Sequence, residues 1–102
     1  MIIDKELLDS LTEQAKRSPR LRMNLDLRNS PADTSQRMLN AIEPSSVVPV
    51  HRHRKTSETV VVLRGRVIEE FYDDAGTCYE RVEVAPGASV CALNIPADTC
   101  IH

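Results

Sequence analysis

The sequence predicts a mainly β domain, a sandwich or barrel of the jelly-roll kind, that is preceded by one short helix. Phe and Tyr together supply three residues and Trp is absent, so Val, Ile, Leu and Met must fill the core. The β-branched members of this set suit a sheet better than a helix bundle. Apolar and polar residues also alternate along much of the chain after Pro19, and turn residues recur roughly every 8 to 12 residues.

Composition restricts the class of protein further. The 102 residues carry 13 Lys and Arg against 15 Asp and Glu, and 41% of them are hydrophobic. These values predict a single globular domain over residues 1–102 and exclude a disordered, collagen-like or coiled-coil chain. The small net charge and the scarcity of aromatic residues argue against a nucleic-acid partner. No apolar run reaches the roughly 18 residues that a membrane span needs, so we expect no membrane partner either.

Cysteine usage and the N-terminus indicate the compartment. The first ten residues lack the basic region and apolar stretch of a secretory signal. The cysteines are odd in number and none has C-x-x-C spacing, which favours a reducing cytoplasm over a disulfide framework. They are Cys78, Cys91 and Cys100.

Residues 4–17 are predicted to form the helix. Asp4 can cap its N-terminus, basic residues occupy its last turn, and Ser18 with Pro19 ends it. One apolar stripe at helical spacing contains Leu7, Leu8, Leu11 and Ala15.

The β region is expected to extend from about residue 20 to residue 102. In the segment 21–28 every odd residue is apolar and every even residue is polar, which is typical of a half-buried strand. Further strands are predicted at 36–43, 47–53, 58–63, 66–72, 78–84 and 89–95. We expect 58–63 and 66–72 to form a hairpin that turns at Arg64 and Gly65.

The strand over 59–63 is apolar on both faces. A core on one side of the sheet would not require this pattern. Either the N-terminal helix or a second subunit is expected to cover the outer face, and the second option predicts a homodimer.

Histidines and a glutamate near the middle of the chain have the spacing of metal ligands. His51 and His53 are two residues apart on a predicted strand, so their imidazoles project from one face. Glu58 begins an alternation that places it on the inner side with Val60 and Val62. A carboxylate that faces an aliphatic interior is costly unless a cation neutralises it. A divalent metal held by these three side chains would do so.

His102 is the third histidine and the candidate fourth ligand. The segment 96–102 can form a strand beside the one that carries His51, which would surround a metal with three nitrogens and one oxygen and leave positions open. The competing interpretation is that the H-x-H pair is ordinary solvated surface. Arg52 and Arg54 would lie on the opposite face of that strand as solvated charges.

The residues 51–65 resemble the first motif of the cupin superfamily, H-x-H-x(3,4)-E-x(6)-G, at every defined position after its leading glycine. Gly87 and the segment 96–102 resemble the second motif. The run QRMLNAIEPSSVVPVHRHRKTSETVVVLRG is similar to the WbuC family of cupin fold metalloproteins. This resemblance implies a double-stranded β-helix with one divalent metal, Zn, Fe, Ni or Mn, on His51, His53, Glu58 and His102. It also implies an association with bacterial surface-polysaccharide biosynthesis.

Three departures from the cupin motifs concern backbone and register. Ser45 and Asp98 stand where the motifs have glycine, and His102 follows Pro96 by six residues instead of five. A shift of one residue turns a strand side chain to the other face, although a bulge near Asp98 could restore the orientation. The alternative is a metal held by His51, His53 and Glu58 with waters.

The leading functional hypothesis is a metal-binding protein that handles a small sugar or sugar nucleotide, with the metal as Lewis acid. If the protein is an enzyme, sugar isomerisation or epimerisation fits best. An Fe(II)-dependent dioxygenase, to whose site Cys100 could contribute, and a non-catalytic sugar-binding or metal-sensing module are the alternatives. The candidates for positioning the ligand are Arg22, Asn24, Gln36, Arg37 and Asn40.

The length is short for the fold that the motif implies. A jelly roll of this kind needs about eight strands, and seven are predicted before Pro96. An open place in the sheet would leave backbone groups unsatisfied. We therefore expect a longer protein whose last strands lie beyond His102, or a partner subunit that completes the sheet.

Overall fold

The computed structural model describes residues 1–52 and 54–102, and it confirms a mainly β chain with one short helix. All paired strands are antiparallel. Over the described residues the sheets do not close into a barrel, so the jelly-roll closure stays a prediction. The elements are α1 (Lys5–Arg17), β1 (Arg22–Asp26), β2 (Met38–Ile42), β3 (His51–Arg52), β4 (Glu58–Val61), β5 (Val67–Tyr72), β6 (Cys78–Val84), β7 (Ala92–Ile95) and β8 (Cys100–Ile101).

The chain forms two compact units, Met1–Val47 and Val48–His102. In the first unit, α1 packs against the hairpin of β1 and β2. The helix begins as predicted, because the Asp4 carboxylate accepts a hydrogen bond from the backbone N–H of Leu7 at 2.9 Å. Leu11 and Ala15 from the predicted stripe are its buried residues. Helical periodicity therefore identified the buried face of α1.

The second unit contains a four-stranded sheet with the order β3, β8, β5, β6 and a two-stranded sheet of β4 and β7. The predicted hairpin between 58–63 and 66–72 is wrong, because β4 pairs with β7 while β5 pairs with β6 and β8. Gly65, with φ at 79°, does mark a sharp change of direction. A turn signal locates the end of a strand, whereas the strand's partner depends on which faces can be buried together.

The buried hydrophobic residues of the second unit are all aliphatic, as composition predicted. They are Val62, Val84, Ile95 and Ile101. Ile101 lies on β8, which forms beside β3 as the sequence predicted. Since β8 also pairs with β5, this two-residue strand joins the two sides of the four-stranded sheet.

The outer face of β4 and the residues after it is apolar and exposed. Val61 is 57% exposed and Leu63 is 50% exposed, whereas Val62 between them is buried. Among the helices described, none is long and apolar enough to cross a membrane.

Candidate metal site

His51 lies on the core-facing side of the four-stranded sheet. It is directly opposite Ile101 of β8, and Ile101 is directly opposite Phe71 of β5. Directly paired residues of antiparallel strands present their side chains to the same face. His51, Ile101 and Phe71 therefore share one face, and this face contains the buried Ile101 side chain. His53 lies outside the described residues.

The ring of His51 is oriented by a backbone carbonyl. Its Nδ1 atom lies 3.0 Å from the carbonyl oxygen of Pro49. Because a carbonyl oxygen only accepts, Nδ1 must carry the proton, and the lone pair of the neutral imidazole is then on Nε2. Histidines that bind metals almost always donate their second ring N–H in this way. His51 thus has the tautomer that a metal ligand needs.

Glu58 lies on the inner side of the β4 and β7 sheet, as its alternation with Val60 and Val62 predicted. It is opposite Ile95, which is only 3% exposed. The half-buried Glu58 side chain thus projects beside the aliphatic core of the second unit.

Glu69 on β5 is a residue of this region that sequence reasoning missed. It is two residues before Phe71, so it shares the face of His51, and its side chain is half-buried. Burial raises the pKa of Glu69, and the negative charge of Glu58 raises it further, while His51 and His102 oppose both effects. Glu58, His51 and His102 each lie within electrostatic range of the Glu69 carboxylate. The available signal was the alternation of 67–72, where Glu69 takes an apolar position between Val67 and Phe71.

His102 lies on the opposite face of the four-stranded sheet. Its backbone N–H and carbonyl pair with those of Glu70, each at 2.8 Å. Its Nδ1 donates to the Glu70 carboxylate at 2.9 Å, and its ring meets Tyr72 edge-on. The hydrogen bond from His102 holds the pKa of Glu70 below its usual value. The register thus gives His102 a carboxylate partner and does not bring it to the face of His51.

Arg52 and Arg54 differ in environment although the sequence suggested solvated charges for both. Arg52 is 22% exposed and forms ion pairs with Asp74 at 2.7 Å and Asp98 at 3.4 Å. It is opposite Cys100, on the face away from His51, as predicted. The hydrogen bond to Asp74 raises the pKa of Arg52. Arg54 is 75% exposed and lies 3.6 Å from Asp98.

The backbone conformation is compatible with a glycine, or with its replacement, at four positions of the resemblance to the cupin motifs. Gly65 and Gly87 have φ values of 79° and 72°, in the left-handed region that favours glycine. Asp98, which replaces a motif glycine, has φ at 63°, and Asp is among the residues that tolerate this region best. Ser45 does not adopt a positive φ, so a side chain causes no strain there.

The predicted ligand-positioning residues all lie in the first unit, where they divide into two sets. Arg22, Asn24 and Asn40 lie on one face of the β1 and β2 hairpin, with Asn24 directly opposite Asn40. Gln36 and Arg37 precede β2. The Arg37 guanidinium donates to the backbone carbonyls of Ser35 at 2.6 Å and Leu27 at 2.9 Å, so it holds the loop together.

Across residues 1–52 and 54–102, no group of three or more His, Cys, Asp or Glu side chains has the geometry to hold a metal ion. Of the predicted ligands, His51 and Glu58 both lie on core-facing sides of sheets in the second unit. His102 projects from the opposite face of the four-stranded sheet and meets Glu70 there. His53 is not among the described residues.

Comparison with known proteins identifies one family. The family described as "Domain of unknown function (DUF6016)" matches residues 3–84, about four fifths of the chain. The matched region contains His51, His53, Glu58 and Glu69, and it ends before β7, β8 and His102. No curated protein and no solved structure matches the chain. Because the match covers well over half of its residues, the chain belongs to the family described as "Domain of unknown function (DUF6016)".

Proposed function

We propose that this protein binds one divalent metal ion through His51, His53 and Glu58 and uses it to bind a small polar, sugar-like ligand. The hydrogen bond from His51 Nδ1 to the Pro49 carbonyl is the observation that carries the proposal. It leaves Nε2 as the metal-binding atom and fixes the ring before metal arrives, which reduces the cost of assembling the site.

The surroundings of Glu58 support the same proposal. Glu58 is a half-buried carboxylate directly opposite the buried Ile95, on the core-facing side of its sheet. A divalent cation would neutralise a carboxylate in this position. Imidazole nitrogen and carboxylate oxygen together suit Zn, Fe, Ni or Mn.

The proposed chemistry requires coordination positions that the protein does not occupy. With two imidazoles and one carboxylate, positions remain for water or for a ligand hydroxyl or carbonyl. When bound, the metal supplies Lewis-acid polarisation of such an oxygen. Taken by itself, the hairpin of the first unit carries Arg22, which can pair with a phosphate or carboxylate, and Asn24 and Asn40, which offer amide donors and acceptors to hydroxyls.

The proposed fold is a cupin-type double-stranded β-helix, in a protein similar to the WbuC family and associated with surface-polysaccharide biosynthesis. Antiparallel pairing throughout, the left-handed backbone at Gly65 and Gly87, and its retention at Asp98 support this assignment. We further propose a homodimer that buries the exposed face of Val61 and Leu63. A Val61→Glu variant with a monomer mass in analytical ultracentrifugation, against a dimer mass for the wild type, would support it.

Metal analysis tests the central proposal. Protein purified without chelator is analysed by mass spectrometry of its metals, and the chelated protein is then titrated with Zn²⁺ in a calorimeter. We expect one metal per chain, and a loss of affinity of more than about 100-fold in the His51→Ala, His53→Ala double variant. The matched control is His102→Ala, which removes an imidazole from the other face of the sheet.

Two results would reject the proposal. One is a wild-type protein that binds no divalent metal under either condition. The other is a double variant that binds Zn²⁺ as tightly as the wild type while its circular dichroism spectrum is unchanged. Retained binding in the His102→Ala control supports the three-residue ligand set, whereas a loss there would exclude that set.

A further inference from the structure

We propose that two copies of this chain pair edge to edge along β6, antiparallel and about a two-fold axis at Val82. β6 is the longest strand described, and it is an outer strand of the four-stranded sheet. Among the described strands it pairs with β5 alone. Its second edge is therefore open to another strand. The inference goes beyond the proposed function, since it involves neither the metal nor its ligand.

The open edge is accessible and regular over the segment 80–84. Arg81 and Glu83 lie on this segment, and their side chains are 63% and 57% exposed. The register shift between β5 and β6 lies between Phe71 and Tyr72, at the other end of β6. The five residues 80–84 thus form an uninterrupted ladder with β5 and can form a second one on the open side.

Strand geometry restricts the register of such a pair. A two-fold axis perpendicular to the sheet keeps the faces of both copies on the same sides, and directly opposite side chains share a face. Odd and even residues of β6 project from different faces, so the axis must pass through a residue that lies opposite itself. An axis at Val84 would bring Pro86, which has no backbone N–H, into the ladder. The remaining positions are Glu80, Arg81, Val82 and Glu83.

Charge selects one of these four registers. An axis at Glu80, Arg81 or Glu83 places a charged side chain directly opposite its own copy, and like charges in that position are destabilising. An axis at Val82 places Arg81 of each copy opposite Glu83 of the other. This register therefore forms two pairs of opposite charge and brings the two Val82 side chains together.

The same alternation of charge is already present within one copy. The Arg81 Nε atom lies 3.2 Å from the Glu70 carboxylate, and the Arg66 Nη1 atom lies 3.4 Å from that of Glu83. The axis at Val82 continues the row from Glu70 through Arg81 to Glu83 of the second copy. Because Arg81 and Glu83 are more than half exposed, each can accept this second partner.

The contact is small, because only five residues of each copy enter the ladder. We expect it to be weaker than an interface of standard size and to form as the protein concentration rises. Where the exposed face of Val61 and Leu63 also associates, edge pairing joins two such dimers. Val61 lies on β4, in the other sheet, so Val61→Glu removes that association and isolates the pairing along β6.

Charge exchange across the axis tests the inference. Sedimentation equilibrium is measured over a series of concentrations for the Val61→Glu chain, which should pass from monomer to dimer. We expect Arg81→Glu in this chain to raise the dimer Kd by at least about tenfold, and Arg81→Glu with Glu83→Arg to restore it to within about threefold. The matched control is Lys5→Glu, which reverses an exposed charge on α1 and should leave the Kd unchanged.

Self-crosslinking tests the register without changing these charges. Val82→Cys should form a disulfide-linked dimer on mild oxidation, with the 82–82 linkage identified by peptide mass spectrometry. Glu80→Cys is the control on the same face, because its two copies would be about 13 Å apart along the strands, beyond the roughly 7 Å that a disulfide spans.

Three results would overturn the inference. One is a Val61→Glu chain that stays monomeric at every concentration. Another is a doubly exchanged chain that does not dimerise although its circular dichroism spectrum matches that of the Val61→Glu chain. The third is equal crosslinking of Val82→Cys and Glu80→Cys. None of these results bears on metal binding, and an absence of metal binding leaves the pairing along β6 unaffected.

Discussion

At the scale of single residues, the environment of each charged side chain depends on the face from which it projects. Glu69 and Glu70 are chemically identical and adjacent, yet one faces the core and His51 while the other meets His102 and Arg81. In a loop, where no sheet face applies, backbone groups set the environment of Asp33. Its carboxylate accepts from the backbone N–H of Ser35 at 2.9 Å and of Asn29 at 3.2 Å.

We predict a pH-dependent contribution of Asp33 to stability. The backbone hydrogen bonds from Ser35 and Asn29 hold the pKa of Asp33 below its ordinary value of 3.8. A carboxyl group with a lowered folded-state pKa stabilises the protein above its unfolded-state pKa, and the contribution is lost as the pH falls through the lowered value. Asp33→Asn should therefore have a lower Tm than the wild type at pH 6, and the difference should shrink below about pH 4. A Tm difference that stays constant from pH 6 to pH 2 would contradict this explanation.

At the scale of elements, the sequence was most informative for α1. Local signals predicted its cap, its buried stripe and its C-terminus. In the structure Asp4 is the cap, Leu11 and Ala15 are buried, and the helix ends at Arg17. Strand positions were also predictable, since each predicted strand overlaps an observed one. The partner of β4 was not predictable, because the turn at Gly65 is compatible with a hairpin or with a crossing to another sheet.

We predict that the cap makes a measurable contribution to the first unit. Asp4→Ala removes the acceptor of the Leu7 N–H and should lower the free energy of unfolding by about 1 kcal/mol. Gln14→Ala, an exposed position on the same helix, is the control and should change it by less than about 0.5 kcal/mol. Urea titrations followed by circular dichroism at the helix band measure both. Equal effects of the two substitutions would show that Asp4 does not act as a cap.

At the scale of the whole molecule, long-range pairing by β8 assembles the candidate site. Ile101 is 1% exposed and is paired with both His51 and Phe71. Both partners are distant from Ile101 in the sequence. The row of side chains formed by His51, Ile101 and Phe71 across three strands therefore forms only when the second unit folds. The proposed metal site would accordingly depend on the fold of the second unit and not on the motif segment alone.

We predict that truncation of Ile101 destabilises this assembly. Ile101→Ala should cost about 2–5 kcal/mol, because it removes a buried side chain from a closely packed position. Val47→Thr changes an 83% exposed side chain and should cost less than about 0.5 kcal/mol. Denaturant unfolding of both variants provides the comparison. A loss for Ile101→Ala no larger than that for Val47→Thr would mean that β8 does not hold the sheet together.

Metal should stabilise the folded chain by mass action. Zn²⁺ at 100 times its Kd should add about 2.7 kcal/mol to the free energy of unfolding, and a chelator should remove it. Differential scanning calorimetry of the chelated and Zn²⁺-loaded protein measures the shift, and His51→Ala should abolish it. Equal shifts in the wild type and in His51→Ala would place the metal elsewhere on the chain.

By itself the sequence determined the helix and its cap, the positions of the strands, the aliphatic core and the metal-ligand spacing of His51, His53 and Glu58. These features depend on residues that are near one another in the chain, so local periodicity and propensity are sufficient to predict them. Only the tertiary structure decided that β4 pairs with β7, that His102 meets Glu70, and that Glu69 shares the face of His51. Each of these depends on the register between strands, where a shift of one residue exchanges the two faces of a sheet.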